Sequence, residues 1–340
     1  MKEHIGPDSN YLATIKAGMT KPFFAIAVLI CFSHLLEASP SRIEKVTFFS
    51  SSLGVEKSFN IYLPGGYDDC NDRYPVVYLN RGGEDEWVKN NIKDLVDRKI
   101  STGEVGKMIL VFPGLTYEGN RAMGFPVNMI NTEMLGEREG LGSGKFEDYF
   151  VRDLIPYVDR KYRTISKRRG RGIDGWSGGG VTSILLGVKY PDLFQTVGAY
   201  DAPWGYLDFD DPAKVGIADD SIWMKLEWAD PWYGNPRNVA FMKSCNSVNI
   251  IKESSGKHLR KLHQVSFFIR AASENAQAAW FEGTYYPRTV HLVKMMDSKG
   301  IKNLWDVDTF VLSPSAEHEW ADALVYIDQN LELHWGKLSK

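Results

Sequence analysis

A serine hydroxyl attacks a carbonyl at neutral pH only when a base stands beside it and donors wait for the oxyanion that forms. Residues 175–179 read Gly-Trp-Ser-Gly-Gly, with small residues two before and two after Ser177. That spacing allows a tight strand-to-helix turn, which lifts the Ser177 hydroxyl clear of a sheet and faces the Gly178 amide toward a reacting carbonyl. The competing reading is a glycine-rich turn with a spectator serine. It is weakened by context, since Ile173 leads in as strand and residues 181–190 lead out as a helix stopped before Pro191.

The base should follow later in the chain, after the acid. Of the seven histidines, His4 and His34 fall in the N-terminal leader, His258, His263 and His291 in polar or helical stretches, and His334 in a C-terminal helix. His318 alone lies in a loop directly after an expected strand at 308–312, and it is the expected general base. His318-Glu319 also opens a zinc-binding pattern, but residue 322 is Asp where that pattern needs His, so no metal is expected. The acid should follow the strand expected at 265–269. Glu274 is the only carboxylate near the start of that loop, and the alternative for it is an ordinary surface glutamate.

The elements that must hold these residues alternate between strand and helix. Residues 46–49 and 59–63 predict a leading hairpin, and 76–79 and 108–112 are apolar runs suited to strands buried on both faces. Apolar residues at 146, 150, 151, 154, 155 and 158 predict a helix, and further strands are expected at 196–200, 265–269 and 308–312. This alternation implies an α/β fold, a mostly parallel sheet flanked by helices. Residues 204–246 break the rhythm with Trp204, Tyr206, Trp223, Trp228, Trp232 and Tyr233, and are read as an aromatic-rich cap insertion. No repeat or low-complexity linker follows residue 42, so residues 42–340 are expected to form one domain.

Composition narrows the function classes. The 340-residue chain is 44% hydrophobic and 24% charged, with a net charge of −3, which excludes disorder and offers no positive field for nucleic acid. The basic run at 167–171 is read as a solvated turn. Residues 23–32 are an unbroken apolar run after Lys21, shorter than the roughly 20 residues of a membrane span. They predict a signal peptide over 1–38 with cleavage near Ala38, a possible true start at Met19, and a secreted or periplasmic mature chain. An uncleaved anchor is the alternative. Cys31 would leave with the leader, and Cys70 with Cys245 permit one disulfide without requiring it.

With these residues placed, the chain resembles the esterase family of α/β-hydrolases that holds esterase D, the feruloyl esterases, the enterochelin esterases and the mycolyl-transferring esterases. The matching stretches are Ile61-Tyr62-Leu63-Pro64 with Gly66-Tyr67, Tyr74-Pro75-Val76-Val77-Tyr78-Leu79, Asp153-Leu154-Ile155-Pro156-Tyr157-Val158-Asp159, Gly175-Trp176-Ser177-Gly178-Gly179, Lys189-Tyr190-Pro191-Asp192-Leu193-Phe194 and Glu317-His318-Glu319-Trp320. The resemblance implies an α/β-hydrolase fold and ester hydrolysis through an acyl-enzyme, with Ser177, His318 and the Gly178 amide in the family's roles and no cofactor. Two departures stand out. Asn80-Arg81-Gly82-Gly83 replaces the family's usual His-Gly pair, so the second oxyanion amide is expected at Gly82 or Gly83. The usual Gly-x-x-Asp falls on Ala272 and Asn275, leaving Glu274, or else Asn275, to orient the histidine.

The expected substrate is a small-molecule or carbohydrate ester, possible examples being acylated sugars and hydroxycinnamoyl esters. Acyl transfer from the same intermediate is one alternative. A degenerate homologue that binds glycans or a protein partner without chemistry is another, and Arg81 and Asn275 are its support.

Overall fold

A computed structural model describes residues 38–119, 122–203, 208–210, 227–276 and 285–338. Nine strands are assigned among them. Seven form the main sheet: β1 (Arg42–Ser50), β2 (Val55–Leu63), β3 (Val76–Asn80), β4 (Ile109–Pro113), β7 (Arg171–Gly175), β8 (Thr196–Tyr200) and β9 (Ser266–Arg270), and two short strands, β5 (Thr116–Tyr117) and β6 (Ala122–Met123), pair separately. The sheet order is β1-β2-β4-β3-β7-β8-β9. β1 and β2 form the expected hairpin, turning at Gly54 with φ 75°, and β2 runs antiparallel to β4. From β4 to β9 every neighbour is parallel.

Parallel strands need crossovers, and these place apolar helices on both faces. Alternation along β3 sends Val76 and Tyr78 into one core layer and Val77 and Leu79 into the other. The first layer lies against helix Gly178–Lys189, whose residues from Gly178 to Val188 are all buried, as expected of a helix apolar on every side. The second layer holds Ile92 and Val96 of helix Ile92–Ser101 and Tyr326, Ile327 and Leu331 of helix Trp320–Leu338. The helix expected at 146–158 is present, with a π-helical stretch at Tyr149–Leu154 between two α-helical pieces.

The strand expected at 308–312 does not form. Only Val311 bridges to Ala271, and the Arg270 guanidinium takes the carbonyls of Val311 and Leu312. Asp306 turns the chain just before it by accepting from Asp308 N and Thr309 Oγ1, which favours a turn over a strand.

Residues 1–37 of the signal peptide expected over 1–38, and residues 204–207 and 211–226 of the expected cap insertion, lie outside the described residues. The described part of the segment expected as a cap holds short helices Asp230–Tyr233 and Val239–Ser244, with Trp232 edge-on to Phe125. Among the described residues no helix is long and apolar enough to cross a membrane. Cys70 and Cys245 are both free thiols; Cys70 Sγ sits 3.1 Å from Tyr74 Oη, and burial pushes the Cys245 thiol up to about 11.

Candidate active site

The tight strand-to-helix turn at 175–179, the elbow, begins where β7 ends. Ser177 adopts φ 55° and ψ −125°, outside the regions that a side chain normally allows, between Gly175 and the first turn of helix Gly178–Lys189. Its backbone is held from both ends: Ser177 N donates to Tyr200 O at 3.0 Å and Val181 N donates to Ser177 O at 3.1 Å. The motif's glycines are required by close approach. A Cβ at Gly175 would lie 2.5 Å from the Gly179 carbonyl carbon, and one at Gly179 would lie 2.1 Å from Asn80 O at the end of β3.

His318 reaches this hydroxyl from 141 residues further on, its Nε2 lying 3.0 Å from Ser177 Oγ. Its loop is fixed by backbone and side-chain bonds. Tyr200 Oη donates to Glu317 O, Glu317 N donates to Asp322 Oδ2, and Ser273 N donates to Ala316 O. Asp322, where the zinc pattern would have wanted a histidine, thus serves to hold the histidine loop. The imidazole packs between the Trp176 ring at 5.1 Å and the Tyr285 ring at 5.2 Å, edge-on to the latter. Burial pushes the Tyr285 phenol up to about 12, so it stays neutral at working pH.

The acceptor behind the imidazole is Asp201. Its Oδ2 lies 2.6 Å from His318 Nδ1, and its Oδ1 accepts from Ala272 N at 3.2 Å. Asp201 is buried and follows β8 directly with φ 47°, its own amide bonded to Arg270 O. Serine, imidazole and carboxylate are therefore strung in hydrogen-bond reach, in the chain order Ser, Asp, His.

Glu274 is not part of this chain. It is exposed, as is Asn275, and the loop expected to supply the acid supplies the Ala272 amide instead. The reason is register: β8 ends against the elbow, with Trp176 bridged to Tyr200, so the first residue past Tyr200 already faces the imidazole. The sequence signal was a carboxylate placed directly at the end of an apolar strand, 199–203 reading Ala-Tyr-Asp-Ala-Pro.

The expected oxyanion donors separate in the same way. Gly178 begins its helix, where amides lack intrahelical acceptors. The Gly83 amide is already committed, donating to Glu86 Oε1 at 2.7 Å, which leaves Gly82 as the second candidate. Arg81 lays its guanidinium 4.3 Å over the Trp176 ring, with Nε 3.4 Å from Glu86 Oε2. Over the elbow lies Met123 of β6; a Cβ at Gly178 would meet its Cε at 2.6 Å. Met123 also lines a cavity of about 360 Å3 with Tyr117, Ala122, Leu135, Pro231 and Trp232.

The family model described as Putative esterase matches residues 50–263, more than half of the chain. The chain belongs to this esterase family. The match carries Ser177 and Asp201 and ends before His318, which only the folded geometry adds. Among curated relatives, an endo-1,4-beta-xylanase/feruloyl esterase of Xylanibacter ruminicola is 29% identical over 172 residues, covering 48% of this chain and 22% of the relative. Endo-1,4-beta-xylanase Y of Acetivibrio thermocellus is 26% identical over 307 residues, covering 84% of this chain and 22% of the relative. The chain thus spans about a fifth of the length of these two relatives. A solved ferulic acid esterase superposes with a TM-score of 0.68 at 19% identity, over 88% of this chain and 99% of that one, and such neighbours show the α/β-hydrolase fold expected for the esterase family.

Proposed function

We propose that this chain hydrolyses carboxylic esters through an acyl-enzyme on Ser177. The observation that carries the reading is the Ser177–His318–Asp201 chain, with separations of 3.0 and 2.6 Å. His318 Nε2 takes the hydroxyl proton as Oγ bonds to the ester carbonyl carbon, and Asp201 holds the resulting imidazolium through Nδ1. The oxyanion is received by the Gly178 amide and by Gly82. Collapse expels the alcohol with the proton from His318, and water then repeats the sequence to free the acid and restore Ser177.

Support for an aromatic acyl group comes from two sides. A relative bears the name feruloyl esterase, and a cavity walled by Tyr117 and Trp232 lies beside the elbow through Met123. A hydroxycinnamoyl ester of a carbohydrate is therefore the substrate class we favour, met outside the cell or in the periplasm if the leader directs export. The reading of a binding protein without chemistry loses one of its supports, since Asp201 supplies a charged acceptor where Asn275 would have offered only a neutral amide oxygen.

Reaction with a fluorophosphonate probe tests the nucleophile. One equivalent should label at Ser177 and none in Ser177→Ala; an unlabelled wild-type protein refutes the proposal. Methyl ferulate against p-nitrophenyl acetate and butyrate then tests acyl choice, with methyl ferulate expected to give the highest kcat/KM.

A further inference from the structure

A second carboxylate lies three residues before the nucleophile. Asp174 is the penultimate residue of β7 and is fully buried, with no exposed surface, on the sheet face covered by helix Trp320–Leu338. Four donors converge on it. Oδ1 accepts from Gly175 N at 2.6 Å and from Tyr326 Oη at 2.7 Å; Oδ2 accepts from Asn330 Nδ2 at 2.9 Å and from His334 Nε2 at 2.8 Å. His334 is itself closed off on its other side by Thr196 Oγ1 at 2.7 Å.

Space for this cluster has been cleared by two glycines. A Cβ at Gly198 of β8 would lie 2.0 Å from Asp174 Oδ2, and one at Gly172 of β7 would lie 2.8 Å from His334 Nδ1 and 2.6 Å from Thr196 Oγ1. A buried carboxylate is costly unless its lone pairs are filled, and apolar side chains could hold a helix on a sheet without it. Here every partner joins one of the two elements that present the proposed catalytic pair. The Gly175 amide opens the turn that raises Ser177, and Tyr326, Asn330 and His334 belong to the helix that starts two residues after His318.

We propose that Asp174 is a positioning residue: it clamps the elbow to the C-terminal helix and so sets the separation between Ser177 and His318. The carboxylate touches neither reacting atom and takes no proton in the reaction. A misplacement of about 1 Å between reacting groups can cost on the order of a hundredfold in rate, which is the scale on which such a clamp acts. An amide at this position can fill only one oxygen's share of the four donors, so Asp174→Asn should let the two elements shift.

The inference rests on the esterase reading, and its test separates the two. The kcat and KM for p-nitrophenyl acetate and the rate of fluorophosphonate labelling of Ser177 are measured at a temperature where circular dichroism shows each variant folded. For Asp174→Asn, kcat and labelling rate should fall together by about tenfold or more with KM within about twofold. Tyr326→Phe, which removes one donor and no carboxylate, should show the same pattern at about fivefold, the scale of a single hydrogen bond. Val248→Ala, a buried change in helix Ser247–Glu253 on the opposite face, should lower Tm yet leave kcat at the wild-type value. Folded Asp174→Asn with wild-type kcat, or activity lost only in step with the unfolded fraction, overturns the proposal. If Asp174→Asn fails to fold, Tyr326→Phe decides alone. A wild-type protein that does not label defeats the esterase reading itself, whereas normal labelling of wild type and Tyr326→Phe alike defeats only the clamp.

Discussion

An imidazole that must take and return a proton needs its far nitrogen held by an acceptor, and the only geometry that matters is which carboxylate reaches it. Asp201 does so from a buried position, while Glu274 projects into solvent. Asp201→Asn should keep the fold and lower kcat by about 10⁴, because the amide favours the wrong imidazole tautomer. Glu274→Gln should leave kcat within about twofold, as surface changes usually do. Equal losses in the two variants, measured by steady-state hydrolysis of p-nitrophenyl acetate, would return the acid to the later loop. The meeting of Ser177 and His318 was legible because each is tied to a local signal: a glycine-flanked turn for one, a loop between strand and helix signals for the other. That Asp201 is the carboxylate reaching His318 was hidden, because two strands follow the elbow and either could end in such a group. What chose between them was the pairing of Trp176 with Tyr200, a contact that no local pattern announces.

At the level of elements, the elbow is a packing problem before it is a chemical one. Gly179 sits so close to Asn80 O that a methyl group must displace either the start of helix Gly178–Lys189 or the end of β3. Gly179→Ala should therefore destabilise by about 1–3 kcal/mol, the usual range for overpacking, and the urea midpoint should fall without a change in slope. Labelling of Ser177 should slow as well, since the displaced backbone carries both the hydroxyl and the Gly178 amide. An unchanged midpoint would mean that the turn relaxes freely, contrary to the contacts seen. The hairpin and the buried strands were readable from apolar runs closed by turn residues. The segment 308–312 misled for the same reason: Phe310 is completely buried and Leu312 nearly so, but they pack from a loop that Arg270 and Asp306 hold in place. Burial and strand pairing leave the same mark on five residues of sequence.

Across the whole molecule, the leading hairpin is linked to the site by one buried amine. Lys57 of β2 donates to Thr116 O and, at 3.4 Å, to Gly140 O, with its ammonium 5.5 Å from the centre of the Phe146 ring. It thereby joins β2 to the segment that carries β5, β6 and Met123 over the elbow. Burial drives this amine from the ordinary 10.5 down to about 8, against the smaller pull of Glu84 and Glu139. The unfolded chain therefore holds this proton more tightly than the folded one. Below pH 8 both states are protonated and the fold bears the full cost, about 3 kcal/mol for a difference of that size. Between pH 8 and 10.5 the folded amine is neutral while the unfolded one is still charged, so this group's contribution to stability rises with pH and the cost is gone above that window. In Lys57→Met the rise is abolished. Urea midpoints taken at pH 7, 8.5 and 10 should show wild type gaining on Lys57→Met across the series; parallel curves would mean that the amine stays charged and solvated in the native protein.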